Sequence, residues 1–327
     1  MLTDRFNRIH DYLRISLTDK CNLRCSYCNP PDLLKDHFKG LRRMTAQEID
    51  QIVCAFVKEG VKKIRLTGGE PLVRKDTPEI IERLSKYPVE VAISTNGVLL
   101  HNYVDIFTKA GIRSINVSLD SLKREKFFAI TKRDEFNLIL NNIYLLLQND
   151  FRVKINVVVM KGVNDDELND FVSLTKHLPL HVRFIEFMPF SGNAWSREKV
   201  FSYQEMLHHI STKYQFMKLE DSQHDTDKKY LVPGHEGAFA IISTMTQPFC
   251  GRCNRMRLTA DGKMKNCLFS KTEMDILSAL RKGNDIIPLI KQCVWMKEEK
   301  LGGQIKTMYG ELDTTKINNR SMIHIGG

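Results

Sequence analysis

The sequence predicts an α/β fold: a partial (six-unit) βα barrel over residues 1–190, followed by a smaller α+β domain over 191–327. Three observations lead there. Short apolar runs of period two recur six times before residue 190, helical segments separate them, and beyond that point the rhythm breaks into turn-rich sequence with a late cysteine cluster.

The first strand is DYLRISLT (11–18). The helix that follows starts at Thr45, whose hydroxyl caps it while Glu48 reaches back; its apolar face runs through Ile49, Ile52, Val53 and Phe56 to a stop at Gly60. The strand KKIRLT (62–67) comes next, then a helix with Thr77 as cap and Pro78 at its first position. The strands VEVAIST (89–95), SINVSL (114–119), RVKINVVVM (152–160) and HVRFIEFM (181–188) continue the series. Strand, helix, strand in succession means parallel pairing through right-handed crossovers. The segment 221–236 is polar and rich in turn residues, and beyond it come short strands, cysteines and two helical stretches. No internal repeat or low-complexity tract interrupts the chain.

Within each strand the alternation carries a second message. One parity is apolar, as in Leu13/Ile15/Leu17 and Ile115/Val117/Leu119, and packs under the helices. The other is polar: Arg14/Ser16/Thr18, Lys63/Arg65/Thr67, Ser94/Asn96, Asn116/Ser118/Asp120 and Lys154/Asn156. A closed barrel fills its lumen with bulky apolar side chains, so a polar lumen is expected to be a cavity for a charged ligand. A solvated sheet face is the plainer alternative, but parallel sheets are usually covered on both faces.

The 327 residues suffice for a large core, and no stretch approaches the ~20 apolar residues of a membrane span. With MLTDRFNRIHDY showing no apolar leader region, a cytoplasmic protein without a membrane partner is expected. The net charge of +10 points to an anionic partner: nucleic acid, a membrane surface or a phosphorylated small molecule. Eight cysteines grouped in tight clusters in a reducing compartment argue for metal rather than disulfides.

Cys21, Cys25 and Cys28 follow the first strand as C-x3-C-x2-C, with no fourth cysteine. A structural zinc would need another ligand, His37 being nearest, whereas a 4Fe-4S cluster with three protein ligands leaves one iron open. Cys250, Cys253 and Cys267 form C-x2-C-x13-C around an Asp261-Gly262 turn, and by spacing alone zinc and cluster both stay open. Cys54 and Cys293 fall on apolar faces and are expected in the core.

Taken together, the cysteine loop with Tyr27 before its last cysteine, KKIRLTGGEPLVRKD, STNG, INVSLD, RFIEFM, FCGRCNRMRLTADGK and the terminal IGG resemble the molybdenum cofactor biosynthesis protein A family of GTP 3′,8-cyclases, within the radical S-adenosylmethionine (SAM) superfamily. The resemblance covers almost the whole chain. It implies a radical SAM barrel with a second iron-sulfur cluster in the C-terminal domain. Cys21, Cys25 and Cys28 would hold the SAM-cleaving 4Fe-4S cluster; Cys250, Cys253 and Cys267 would hold another that takes the purine. It assigns SAM contacts to Tyr27, Gly69, Ser118 and Met188, and GTP contacts to Arg14, Arg65, Ser94, Lys154, Arg255 and Arg257, with Ser94 standing where the family has threonine. Lys63 and Arg183 join the GTP set because a triphosphate needs several cations, and Met256 because it sits in the RMR segment. Arg14 with the tail glycines Gly326 and Gly327 is implied to set the nucleotide for reaction, the alternation of Ile323 and Ile325 suggesting an anchored extended tail. The implied reaction converts GTP to 3′,8-cyclo-7,8-dihydro-GTP, the first step of molybdenum cofactor biosynthesis. A reductase or flavodoxin-type protein would donate the electron and cyclic pyranopterin monophosphate synthase would act downstream, with a homodimer left open. The rivals are a radical SAM enzyme with an auxiliary cluster that modifies a peptide, and a nucleic-acid-binding metalloprotein. The second lacks a basic stripe with interleaved aromatics.

Overall fold

The computed structural model describes residues 1–29, 43–305 and 317–326. His37 and Gly327, both named above, lie outside the described residues.

Six strands follow the expected order: β1 (Tyr12–Ser16), β2 (Lys63–Thr67), β3 (Glu90–Thr95), β4 (Ser114–Ser118), β5 (Arg152–Val159) and β6 (His181–Glu186). The helices between them are α1 (Ala46–Lys58), α2 (Thr77–Leu84), α3 (Val104–Lys109), α4 (Arg124–Thr131), α5 (Phe136–Gln148) and α6 (Leu168–Leu174). The capping box of α1 forms as predicted, Thr45 Oγ1 accepting from the Glu48 amide at 3.1 Å and Glu48 from the Thr45 amide at 2.8 Å. Thr77 does not cap α2. It is the first helical residue, its hydroxyl donating to the Pro71 carbonyl at 2.6 Å, and the N-cap is Asp76, whose carboxylate is taken by Arg74.

After α7 (Tyr203–Ser211) come β7 (Met217–Lys218), β8 (Lys228–Leu231), β9 (Ala238–Ile242), β10 (Arg255–Leu258), β11 (Lys263–Lys265) and β12 (Met274–Asp275), then α8 (Ile276–Arg281), α9 (Ile287–Trp295) and α10 (Met322–Ile325). Among the described residues, twelve strands share one mixed sheet in the order β12-β11-β10-β1-β2-β3-β4-β5-β6-β9-β8-β7. The run from β10 through β1–β6 to β9 is parallel, with antiparallel pairs at each edge. Residues beyond 190 thus extend both edges of the N-terminal sheet: β10 lies beside β1, and β9 beside β6.

The register aligns the polar parity across the sheet, Arg14 with Arg65 on one side and Arg257 on the other. The apolar parity is buried against the helices: Leu13, Ile15, Ile64, Leu66, Ile93, Ile115 and Val117 are all 0% exposed. Met256 belongs to this set. It pairs with Leu13, is fully buried in the core and faces away from Arg255 and Arg257, because adjacent strand residues point to opposite faces; its assignment as a GTP contact is therefore corrected. Cys293 is buried on α9, while Cys54 is half-buried on α1. Among the described residues no helix is long and apolar enough to cross a membrane.

Candidate active site

The polar face closes around a cavity of about 480 Å³, within the range of small-molecule sites. Arg14, Lys63, Arg65, Lys154, Arg183, Arg255 and Arg257 line it, together with Asn116, Asn156 and Met188. Hydrogen bonds hold several of these cations in place. Arg65 donates from Nε to the Tyr12 hydroxyl at 2.6 Å and from Nη1 to the Ile93 carbonyl at 2.7 Å. Arg183 forks onto Asn156 Oδ1 at 2.9 and 2.6 Å, with Asp227 3.8 Å away. Arg255 donates to Thr226 Oγ1 at 2.8 Å, and Lys63 reaches the Glu90 carboxylate at 2.8 Å, toward the rim. Arg257 donates to the carbonyl of Gly326.

So many cations in one cavity repel one another. Burial and the Arg183 charge bring the Lys154 ammonium down to about 8, and burial with like-charged neighbours lowers Arg14 and Arg257 as well. Burial would raise the Tyr12 hydroxyl, but Arg65, Arg14 and Arg255 outweigh it and pull the phenol down to about 7. The Ser94 hydroxyl and Asn116 Oδ1 are buried with no hydrogen-bond partner. Excess positive charge and the orphaned Asn116 oxygen on one cavity fit a polyanionic ligand that also carries hydrogen-bond donors, while Ser94, beside Asn116 on the next strand, is not on the lining.

At the C-terminal end of β1 the chain turns into the loop of Cys21, Cys25 and Cys28, which is folded tightly by amides of Cys28 and Asn29 donating to the Cys25 carbonyl at 3.0 and 2.9 Å. The Gly68-Gly69 turn packs on this loop. A Cβ on Gly69 would lie 2.5 Å from the Lys20 carbonyl oxygen, and the Gly69 amide donates to Thr18 O at 2.6 Å. These glycines therefore let two stretches of backbone touch, besides any ligand they admit. Burial and Glu70 push the Cys21 thiol up to about 11; burial also raises Cys25 and Cys28, with Asp120 adding to both. Asp120 accepts from the Tyr27 hydroxyl at 2.7 Å. Ser118 ends β4 on the same polar face as Asn116, one residue before the turn toward Asp120. Arg24 offsets only part of the upward push at Cys21, where burial and Glu70 prevail, so the thiols suit ligands of a positively charged iron centre.

The second triad lies next to the cavity lining, which includes its sequence neighbours Phe249, Asn254 and Leu268. Cys250 accepts from the Leu301 amide at 3.4 Å, and Cys253 from the Lys297 ammonium at 3.5 Å. Burial would raise the Cys253 thiol, yet Lys297 and Arg255 bring it down to about 7. Among the described residues no group of three His, Cys, Asp or Glu side chains is arranged to hold a metal ion.

The tail reaches this cavity. Arg320 forks onto Asp261 at 3.0 Å for both nitrogens and also meets Glu273 at 2.5 Å, anchoring the segment to the Asp261-Gly262 turn. The tail then forms one turn of helix, α10, rather than the extended segment expected, because the amides of His324 and Gly326 bond back to Ser321 and Met322. Ile323 and Ile325 are buried, and Met322 lines the cavity. Gly326, at φ +84°, sits where a Cβ would come within 2.9 Å of Ser16 and 3.2 Å of Thr67.

Reasoning from the sequence placed Asn156 on the polar parity without giving it a role, and missed Tyr12 and Lys297. Tyr12 shares the parity of Arg14 and Asn156 that of Lys154, a signal that was present; Lys297, just past α9, had none. The polar stretch before β8 also lines the cavity, through His224, Thr226 and Asp227.

Two family models match: Radical SAM superfamily over residues 15–175 and Molybdenum Cofactor Synthesis C over 180–302. The chain is 43% identical to molybdenum cofactor biosynthesis protein 1 of Drosophila melanogaster, over 91% of this chain and 54% of that one. It is 38% identical to the GTP 3′,8-cyclase of Alkaliphilus oremlandii, over the full length of both. The chain spans about half the length of several curated relatives it matches. In fold it is similar to Streptococcus suis SuiB, with a TM-score of 0.65 at 15% identity, over 92% of this chain and 69% of that one. The superfamily match implies a 4Fe-4S cluster and SAM. The chain belongs to the GTP 3′,8-cyclase family of the radical SAM superfamily.

Proposed function

We propose that this chain binds GTP in the cationic cavity and cyclises it to 3′,8-cyclo-7,8-dihydro-GTP, the first step of molybdenum cofactor biosynthesis. The observation that carries the reading is the convergence of seven cations on one cavity whose lining includes Phe249, Asn254 and Leu268, sequence neighbours of the second triad's cysteines, together with the bond from Arg257 to the tail carbonyl of Gly326. The six central units are read as a partial barrel whose lumen is this cavity, with the segment after residue 190 as a smaller domain that adds the second triad.

Cys21, Cys25 and Cys28 would hold one 4Fe-4S cluster, and Tyr27, Gly69, Ser118 and Met188 would cradle SAM beside it; Cys250, Cys253 and Cys267 would hold the second cluster. When bound, the first cluster and SAM together supply a carbon-centred radical able to take hydrogen from C3′ of the ribose. The chain's own part is binding, orientation and exclusion of water. Arg65, Lys154, Arg183 and Arg255 neutralise the triphosphate, with Lys63 at the rim and Ser94 and Asn116 supplying hydrogen bonds to uncharged groups. Arg257, tied to Gly326, seals the cavity on the side of β1, where Arg14 lies between Arg65 and Arg257. Gly326 fits beside Ser16 and Thr67 because a side chain there would clash with both.

A cytoplasmic setting, an external reductase or flavodoxin-type donor and a downstream cyclic pyranopterin monophosphate synthase complete the reading. Cations turned inward give the net charge a local use, which weakens the case for a nucleic-acid surface. The test is anaerobic reconstitution with iron and sulfide, followed by GTP, SAM and reductant. Formation of the cyclised nucleotide with equimolar 5′-deoxyadenosine is expected; SAM cleavage that leaves GTP unchanged would overturn the reading.

A further inference from the structure

Behind the second triad lies a buried charged group that the proposed reaction does not use. Lys297 is 2% exposed. Its ammonium donates to the Arg255 carbonyl at 2.9 Å, lies 3.5 Å from Cys253 Sγ and 3.4 Å from His10 Nδ1. The nearby carboxylate, Asp4, is already engaged by Arg8 Nε at 2.6 Å and by His10 Nε2 at 3.0 Å. Burial and Lys297 itself hold the imidazole of His10 down at about 4, so it brings no charge near neutrality. Arg8 in turn ties the second cysteine loop to the segment after α9, donating to the carbonyls of Cys250, Glu298 and Glu299 at 2.9, 2.9 and 2.8 Å. Among the described residues no carboxylate forms an ion pair with Lys297.

A buried ammonium without a carboxylate is costly unless something else is negative beside it. The group it faces is Cys253. We propose that Lys297 is a positioning residue for the C-terminal cluster: its charged hydrogen bond to the Cys253 sulfur stabilises the reduced, more negative state of that cluster, and its bond to the Arg255 carbonyl ties this charge to the strand that binds substrate. The inference rests on the proposed ligand set of Cys250, Cys253 and Cys267. Net charge and hydrogen bonds to the sulfurs are established determinants of cluster potential, and Lys297 supplies both at once.

The experiment uses the full chain with Cys21, Cys25 and Cys28 changed to Ala, so that only the C-terminal cluster assembles. This parent and its Lys297→Gln and Lys297→Arg derivatives are reconstituted anaerobically, assayed for iron and titrated with dithionite under electron paramagnetic resonance. Gln keeps a donor for the Arg255 carbonyl but removes the charge; Arg keeps the charge. Lys297→Gln is expected to hold about four iron and to shift the one-electron reduction equilibrium at least tenfold toward the oxidised form, roughly 59 mV more negative. Lys297→Arg is expected to stay near the parent. An unchanged midpoint in Lys297→Gln at full iron overturns the proposal, as does an equal shift in both derivatives. Loss of iron from Lys297→Gln alone still supports a role for the charge, whereas loss from both means that packing alone matters and overturns it. A parent that binds no cluster refutes the ligand set and not Lys297.

Discussion

The two cysteine triads look alike in sequence and differ in their surroundings. The first sits among acids: Glu70 and Asp120 lie beside it, and its thiols are pushed up by burial, with Arg24 offsetting only part of the cost at Cys21. The second sits among bases, with Lys297 on Cys253 and Arg255 and Arg257 on the strand that follows it. Negative neighbours disfavour adding an electron and positive neighbours favour it. On the proposed ligand sets, the difference would let the N-terminal site release an electron readily once reduced, whereas the C-terminal site would share its positive field with an anionic substrate.

The contrast can be broken most severely at the tail. Removing Gly326 and Gly327 takes away the partner of Arg257 and is expected to abolish cyclisation of GTP while both clusters assemble and SAM is still cleaved. Full cyclase turnover by the truncated chain would make the tail a bystander. Next in size are two glycine changes that set the loops against each other. Gly69→Ala forces a Cβ to within 2.5 Å of the Lys20 carbonyl oxygen and is expected to cost most of the iron at the first triad; Gly251→Ala meets nothing within 4 Å and should leave the second triad filled. Iron analysis of both variants checks this, and equal retention would refute the close packing of the first loop.

Smaller effects are expected in the cavity. Arg65→Ala and Arg257→Ala should each weaken GTP binding by roughly 1.5 to 3 kcal/mol, as for a hydrogen bond to a charged group; equilibrium binding with unaltered affinity in both would remove the cationic-cavity argument. The mildest is a pH effect. Lys154 is depressed to about 8 in the free protein, so a bound triphosphate must raise its pKa and binding must take up a proton. Affinity for GTP is expected to fall as pH rises from about 7 to about 9, with buffer-dependent binding enthalpies in calorimetry. A flat profile in the wild type, or the same slope in Lys154→Met, would exclude Lys154 as the group responsible.

Much of this was legible beforehand because period-two alternation reports which face of a strand a residue takes. Arg14, Arg65 and Lys154 were found on the cavity by that rule, and the same rule, applied consistently, would have excluded Met256. The capping box at Thr45 was readable because it is purely local, whereas Thr77 was misread because Arg74 takes up Asp76 and a Pro71 carbonyl takes up the threonine hydroxyl. Pairing between distant strands was not readable. That β10 lies beside β1 depends on long-range registry, and so does everything it brings together, including Arg257 with Gly326 and Lys297 with Cys253. The tail followed the same limit: burial of Ile323 and Ile325 was foreseeable, but their single helical turn was not.

The division of labour between the triads is tested most directly by measuring reductive SAM cleavage in Cys28→Ala and Cys267→Ala, each reconstituted anaerobically and supplied with GTP and a chemical reductant. Cys28→Ala is expected to form no 5′-deoxyadenosine, and Cys267→Ala to form it without any cyclised nucleotide. Equal SAM cleavage by the two variants would contradict the account.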